Sequence, residues 1–178
     1  FAGGGTGGHI YPALAVVEQL RVLSSEACFH FFCSDRAIDA RILSAAEVPF
    51  TPLPARGLTG RPHQMAGVFL SQVRSFRRAK QELFRFRGPQ VVIGVGGFAS
   101  APAIFAAHRL GIPIAMINVD IVPGKANRFL ARYAERVFVQ FERTQPRFGV
   151  PAERVEVTGC PLRAAFRQAD HIVEGRYQ

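Results

Sequence analysis

The sequence predicts an α/β fold: a doubly wound parallel sheet held between two layers of helices. Three observations carry this. Short apolar runs without polar alternation, such as Gln90-Val91-Val92-Ile93-Gly94 and Ile112 to Ile117, read as strands covered on both faces. Segments with helical spacing of apolar residues alternate with them. Two of the strands run straight into glycine-rich turns that open helices, the arrangement that flanks the switch point of such sheets.

The first strand ends at Phe1 and Ala2. Gly3, Gly4, Gly5, Gly7 and Gly8 follow, then His9, Pro12 and a helix whose apolar face is Leu14, Val17 and Leu20. Cys28 to Cys33 reads as the next buried strand, and Ser34 or Asp35 caps a helix to about Glu47. Pro49 to Pro54 is extended and Ala55 to Pro62 is a loop. His63 to Arg87 is a long helix with Met65, Val68, Phe69, Val73, Phe76, Leu83 and Phe84 as its apolar positions. Gly88-Pro89 ends it.

After the strand at Gln90 comes the second glycine turn, Gly96-Gly97-Phe98-Ala99-Ser100, and a helix from Ala101 to Arg109. Ile112 to Ile117 is a strand, Pro123-Gly124 opens another helix, Arg136 to Gln140 is a strand, and Gln145 to Pro151 turns. Val155-Glu156-Val157 is the last strand, and Gly159 to Arg163 turns into a terminal helix. With 178 residues, 48% of them apolar, the chain fits one domain with an ample core and is not disordered.

Residue chemistry narrows the function classes. The formal charge is +9, from 22 Lys and Arg against 13 Asp and Glu, which favours nucleic acid, phospholipid or phosphorylated partners. No helix-turn-helix, zinc or RNP pattern accompanies the charge, so nucleic acid is not expected. Arg74, Arg77, Arg78, Lys80, Arg85 and Arg87 on the long helix are opposed only by Glu82, the composition of a helix that lies on an anionic membrane. An ordinary surface helix packed on a sheet is the competing reading.

Cys28, Cys33 and Cys160 are odd in number, and the first two point to opposite faces of one apparent strand. That argues against a disulfide or a zinc pair and for buried thiols in a reducing compartment. His30, in the same apolar strand, reads as structural. No Asp-x-Asp or His/Cys cluster calls for a metal, and no cofactor is expected. No signal peptide is visible, and the start inside a strand, without Met, suggests preceding residues. Gly88 to Ala107, the longest uncharged run, holds glycines and prolines and is no membrane span, so any membrane contact is peripheral.

The first glycine loop is a strand–loop–helix anion site by construction, since amides and the helix dipole converge there. Gly3, Gly5 and Gly8 fit a dinucleotide fingerprint, with Asp35 placed for a ribose. A phosphate loop of the Gly-Lys-Ser/Thr kind is absent. A loop without a ligand is the remaining reading. The fuller run Gly4-Gly5-Thr6-Gly7-Gly8-His9-Ile10-Tyr11-Pro12-Ala13-Leu14-Ala15 resembles the amino-terminal signature of the MurG family. Gly96-Gly97-Phe98-Ala99-Ser100, Leu110-Gly111-Ile112-Pro113, Val122-Pro123-Gly124 with Asn127 and Leu130, and Gly159-x-Pro161-x-Arg163 extend the resemblance over nearly the whole chain.

That resemblance implies a GT-B glycosyltransferase moving N-acetylglucosamine from UDP-GlcNAc to undecaprenyl-pyrophosphoryl-MurNAc-pentapeptide, which makes lipid II for peptidoglycan. It further implies that residues 1–163 form the Rossmann-like, acceptor-binding half. Residues 164–178 would then be a terminal helix leading to an absent donor-binding domain, through which the UDP-sugar is held. His9 is the candidate base, as histidine often is, with Asp120 as a second base or a group orienting His9. Gly4, Gly5, Thr6, Gly7, Gly8, Gly96, Gly97, Phe98, Ser100 and Asn127 are expected at the acceptor diphosphate, and Arg163 at the donor. The long basic helix, with Phe69, Val73, Arg74, Phe76, Arg77 and Arg78, falls where the family places its membrane contact. The enzyme would be cytoplasmic and peripheral at the inner face of the bacterial plasma membrane.

Three places depart from the family pattern. Ile117-Asn118-Val119-Asp120 stands where His-Glu-Gln-Asn is usual, Phe98 replaces a Tyr, and Cys160 replaces an Asn. A divergent transferase with another phosphorylated or lipid acceptor, or a dinucleotide-binding oxidoreductase domain, are the alternatives.

Overall fold

The structure, a computed structural model, describes residues 1–57, 65–86 and 88–165. Seven parallel strands form one sheet: β1 (Ala2–Gly3), β2 (Phe31–Ser34), β3 (Phe50–Leu53), β4 (Val92–Gly96), β5 (Ile114–Asn118), β6 (Arg136–Val139) and β7 (Val155–Val157). Their order is β3-β2-β1-β4-β5-β6-β7. The chain therefore winds outward to one edge, returns to the centre and winds to the other. The switch point lies between β1 and β4, whose registers pair Ala2 with Gly94 and Gly3 with Gly96.

The connecting helices are α1 (Gly7–Leu23), α2 (Ala37–Ala45), α3 (Met65–Arg85), α4 (Ser100–Arg109) and the short α5 (Lys125–Leu130). Parallel neighbours need such crossovers, and the helices cover both faces. One core cluster packs α1 and α2 on the sheet through Ile10, Leu14, Val17, Phe31 and Leu43. The other joins α3 and α4 to the opposite face through Ala79, Leu83, Ala103, Ile104 and Met116. Alanines on α4 and serines on α3 keep those two helices close. Ser71 and Ser75 are buried yet satisfied, their hydroxyls donating to Val68 O at 2.7 Å and Ser71 O at 2.8 Å. Gly94 leaves the space that Ile104 fills, since a Cβ there would stand 2.6 Å from Ile104 Cδ1.

Several boundaries differ from the sequence expectation. The second strand starts at Phe31, not Cys28, and Cys28 is exposed; only Cys33 is a buried thiol, and Cys160 is half-buried. Burial, then the nearby Asp39 carboxylate, pushes the Cys33 thiol up to about 12. Neither Ser34 nor Asp35 caps α2: its N-cap is Arg36, which makes no side-chain cap bond. β3 carries Pro52, tolerated because β3 is an edge strand paired only with β2. The Gln145–Pro151 turn is partly a 3-10 helix over Glu142–Arg147. His63 and Arg87, the loop positions from Leu58 to Pro62, and the terminal helix beyond Ala165 lie outside the described residues.

Candidate functional site

The carboxyl ends of β1 and β4 lie side by side, so their two glycine loops meet. Gly4 N–H donates to Gly96 O at 3.2 Å. Gly97 has φ +84°, and a Cβ on it would collide with Gly4 O. Only glycine permits both the turn and the approach. Each loop opens a helix that has no side-chain cap bond and no acidic residue in its first turn: α1 after Thr6, α4 after Ala99. The two helix starts therefore both lie above the switch point, that of α1 offering more unpaired N–H groups, since at α4 the Ser100 N–H turns back to Gly97 O at 3.4 Å and Pro102 has none.

His9, in the first turn of α1, leans across that gap. Its ring lies against Gly96, where a Cβ would stand 2.8 Å from Cδ2 and 2.9 Å from Nε2. Thr6 Oγ1 lies 3.2 Å from His9 Nδ1. When Nδ1–H donates to Thr6, Nε2 keeps its lone pair and can accept a proton. Asn127, from α5, completes the floor: its Nδ2 is 3.3 Å from the same Gly96 Cβ position and donates to Asn118 Oδ1 at 3.1 Å. Asn118 in turn donates to the backbone oxygen of Asp120 at 2.6 Å.

The structure thus brings together Gly4, Gly5, Thr6, Gly7, Gly8, His9, Gly96, Gly97 and Asn127. Asp120 is exposed, and the group on His9 Nδ1 is Thr6. Ser100 is fully buried, its hydroxyl committed to Gly97 O at 2.7 Å, so it shapes the second loop from beneath. Phe98 is 53% exposed, and its ring lies against Gly57, at the end of the β3 segment. Arg163 is paired with α1: its Nε donates to Glu18 Oε1 at 2.6 Å, and Ala164 N–H donates to Glu18 Oε2 at 3.1 Å. Glu18 so anchors the segment leaving the sheet.

On α3, Val73 is half-buried and Phe76 packs against the core, so neither is among the exposed apolar side chains. Phe69 at 72%, Leu70 at 48% and Phe84 at 79% exposure are exposed there, beside the exposed Arg74, Arg77 and Arg78. Sequence reasoning missed Leu70 and Phe84 as surface groups, and it missed Asp39 and Arg36 altogether. Arg36 Nη1 donates to Gly5 O at 2.8 Å, and Asp39 Oδ2 accepts from Gly5 N–H at 2.7 Å. An acid five residues past Ser34, at the end of the strand beside β1, was the available signal. Among the described residues no group of three or more His, Cys, Asp or Glu could hold a metal ion.

A switch point roofed by two glycine-rich helix starts, with a histidine between them, is that of a doubly wound domain, a class whose ligands bind above the strand ends. The chain belongs to glycosyltransferase family 28: the model of that family's N-terminal domain matches residues 1–139. It is 35% identical over 173 residues to a UDP-N-acetylglucosamine–N-acetylmuramyl-(pentapeptide) pyrophosphoryl-undecaprenol N-acetylglucosamine transferase of Syntrophus aciditrophicus, covering 97% of this chain and 47% of the relative. A Bacillus cytotoxicus transferase of the same name is 36% identical over 161 residues, with 90% and 43% covered. The chain thus spans less than half the length of these curated relatives.

Among solved structures, Acinetobacter baumannii MurG superposes with a TM-score of 0.68 at 28% identity, over 94% of this chain and 45% of that one. A Neisseria meningitidis UDP-GlcNAc 2-epimerase bound to UDP-GlcNAc shares the fold, with a TM-score of 0.64 at 19% identity over 89% and 44% of the two chains.

Proposed function

We propose that residues 1–163 are the acceptor-binding half of an inverting GT-B N-acetylglucosaminyltransferase. It would move GlcNAc from UDP-GlcNAc to a lipid-linked pyrophosphoryl muramyl-peptide in peptidoglycan biosynthesis. The observation that supports this most is the family match over residues 1–139, joined to relatives bearing that name. The acceptor diphosphate lies between the two glycine loops, held by first-turn N–H groups of α1 and α4. His9 Nε2 takes the proton of the acceptor hydroxyl, and Thr6 holds the ring through Nδ1. The freed oxygen attacks the anomeric carbon as the bond to UDP breaks, and UDP leaves with the electron pair. The donor binds through a second domain. Asp120 remains the second candidate base. Arg163 reaches the donor only by leaving Glu18.

The exposed basic face of α3 supports a peripheral position at the cytoplasmic surface of the plasma membrane, where a lipid-linked acceptor would be met. No described helix is long and apolar enough to cross a membrane. A second reading is favoured by Phe98 and by Ile117-Asn118-Val119-Asp120, which replace polar groups usual in the resembled family. In it, the same site takes another phosphorylated or lipid acceptor. Calorimetric titration with pyrophosphate, NADH and a short oligonucleotide tests the class. Binding of pyrophosphate alone is expected; saturable NADH binding would return the oxidoreductase reading.

A further inference from the structure

Asp39 lies in the first turn of α2 and is fully buried. An acid at that position ordinarily serves its own helix. Here the carboxylate turns to the loop beside it. Oδ2 accepts from Gly5 N–H at 2.7 Å, Ser34 N–H at 3.0 Å and the Ser34 hydroxyl at 2.6 Å. Oδ1 is buried without a hydrogen-bond partner. Gly4 makes room for this, because a Cβ on Gly4 would run into Asp39 Oδ2. From the same helix start, Arg36 Nη1 holds the carbonyl of Gly5 at 2.8 Å.

Gly5 is therefore gripped at both its N–H and its C=O by two residues three apart. Its φ is +91°, and a Cβ there would find nothing within 4 Å, so that side of the turn is open and the two bonds hold the backbone from the other. A buried carboxylate is costly unless its hydrogen bonds repay it. A neutral Ser or Asn would suffice for an ordinary helix start. The charge is spent on the glycine loop.

The structure assigns Asp39 as the positioning residue of that loop. It fixes Gly5, so that Thr6 meets His9 Nδ1 and the N–H groups of Thr6, Gly7 and Gly8 stay free. The Gly5 N–H is then not a ligand donor, and an anion is held by the residues after it. The last step rests on the anion reading above; the positioning itself does not.

The test uses the full chain and Asp39→Asn, which keeps shape but loses the charge and leaves a buried amide. Three readouts are taken: thermal unfolding, nitrogen-15 spectra of the Gly5 amide and the His9 ring, and calorimetry with inorganic pyrophosphate. Expected are a folded variant, an upfield Gly5 N–H, a His9 ring that exchanges between tautomers, and pyrophosphate affinity at least tenfold weaker. A folded variant with unchanged Gly5 and His9 signals overturns the assignment. If the wild-type chain ignores pyrophosphate, the anion reading fails, while the Gly5 and His9 signals still decide the positioning. Should Asp39→Asn not fold, Ser34→Ala removes one of the three donors to Oδ2. Moved Gly5 and His9 signals then support the assignment, and unmoved ones overturn it.

Discussion

The ring of His9 is packed on the bare backbone of Gly96, with Nε2 2.9 Å from where a Cβ would stand. His9 lies in the first turn of α1 and Gly96 ends β4, so this contact joins the helix start to the strand end. Gly96 also has φ +103°, outside the range open to other residues. Gly96→Ala should therefore cost roughly 1–3 kcal/mol of backbone strain and push the ring aside. Urea unfolding reads the first effect. The second is read by the His9 ring signals, which should lose the Thr6 contact. An alanine variant as stable as the wild type, with its ring unmoved, would contradict the geometry.

His30 links pH to stability. It is half-buried between Phe32 and Phe86, with Nε2 2.9 Å from Thr51 Oγ1. Burial holds its pKa below the ordinary 6.5, with Glu82 opposing. The folded state thus binds a proton less readily than the unfolded one. The stabilisation is complete above pH 6.5 and is lost as pH falls through the lowered value. Urea midpoints measured from pH 7.5 down to 5 should fall, and His30→Gln should flatten the slope. An equally steep slope in the variant would assign the effect elsewhere.

The α3 surface should bind vesicles reversibly. Phe69, Leu70 and Phe84 stand exposed beside Arg74, Arg77 and Arg78. Basic groups near an anionic surface contribute about 1 kcal/mol each, weakened by salt. Changing the three arginines to glutamate should abolish co-sedimentation with phosphatidylglycerol vesicles, and Phe84→Ser should weaken it at all salt concentrations. Because Phe76 packs inward against the core, Phe76→Ser should instead lower the unfolding temperature.

The strand and helix alternation was legible because both-face burial writes continuous apolar runs, and the two glycine turns marked the switch point. The second strand was misplaced by three residues. Cys28 and Phe29 extend its apolar run, and nothing in a run of apolar residues says where sheet pairing begins. Asp39 was missed for another reason: an acid five residues past Ser34 reads as serving its own helix, and the Gly5 N–H that it holds is brought to it by strand order. Spacing along the chain does not encode that meeting. Phe76 and Phe84 both read as apolar positions of one helix, but Phe76 borders the buried stripe of Val68, Ser75, Ala79 and Leu83 and packs on the core, while Phe84 is exposed.

Gly8 separates folding from function. Unlike Gly4, Gly5, Gly96 and Gly97, it has no positive φ. A Cβ on it would meet nothing nearer than Thr6 Oγ1 at 3.8 Å. It lies inside the first turn of α1, where glycine is a poor choice for stability. For the fold alone, Gly8→Ala should stabilise the chain by roughly 0.5–1 kcal/mol. If the helix start cradles a diphosphate, the added methyl sits where the ligand approaches, and affinity should fall. The expected result is a variant that melts higher and binds pyrophosphate at least tenfold more weakly, by calorimetry. Higher melting with unchanged binding would place the anion on the α4 side alone, at Gly97 and Phe98. Lower melting would mean that α1 starts differently from the geometry seen here.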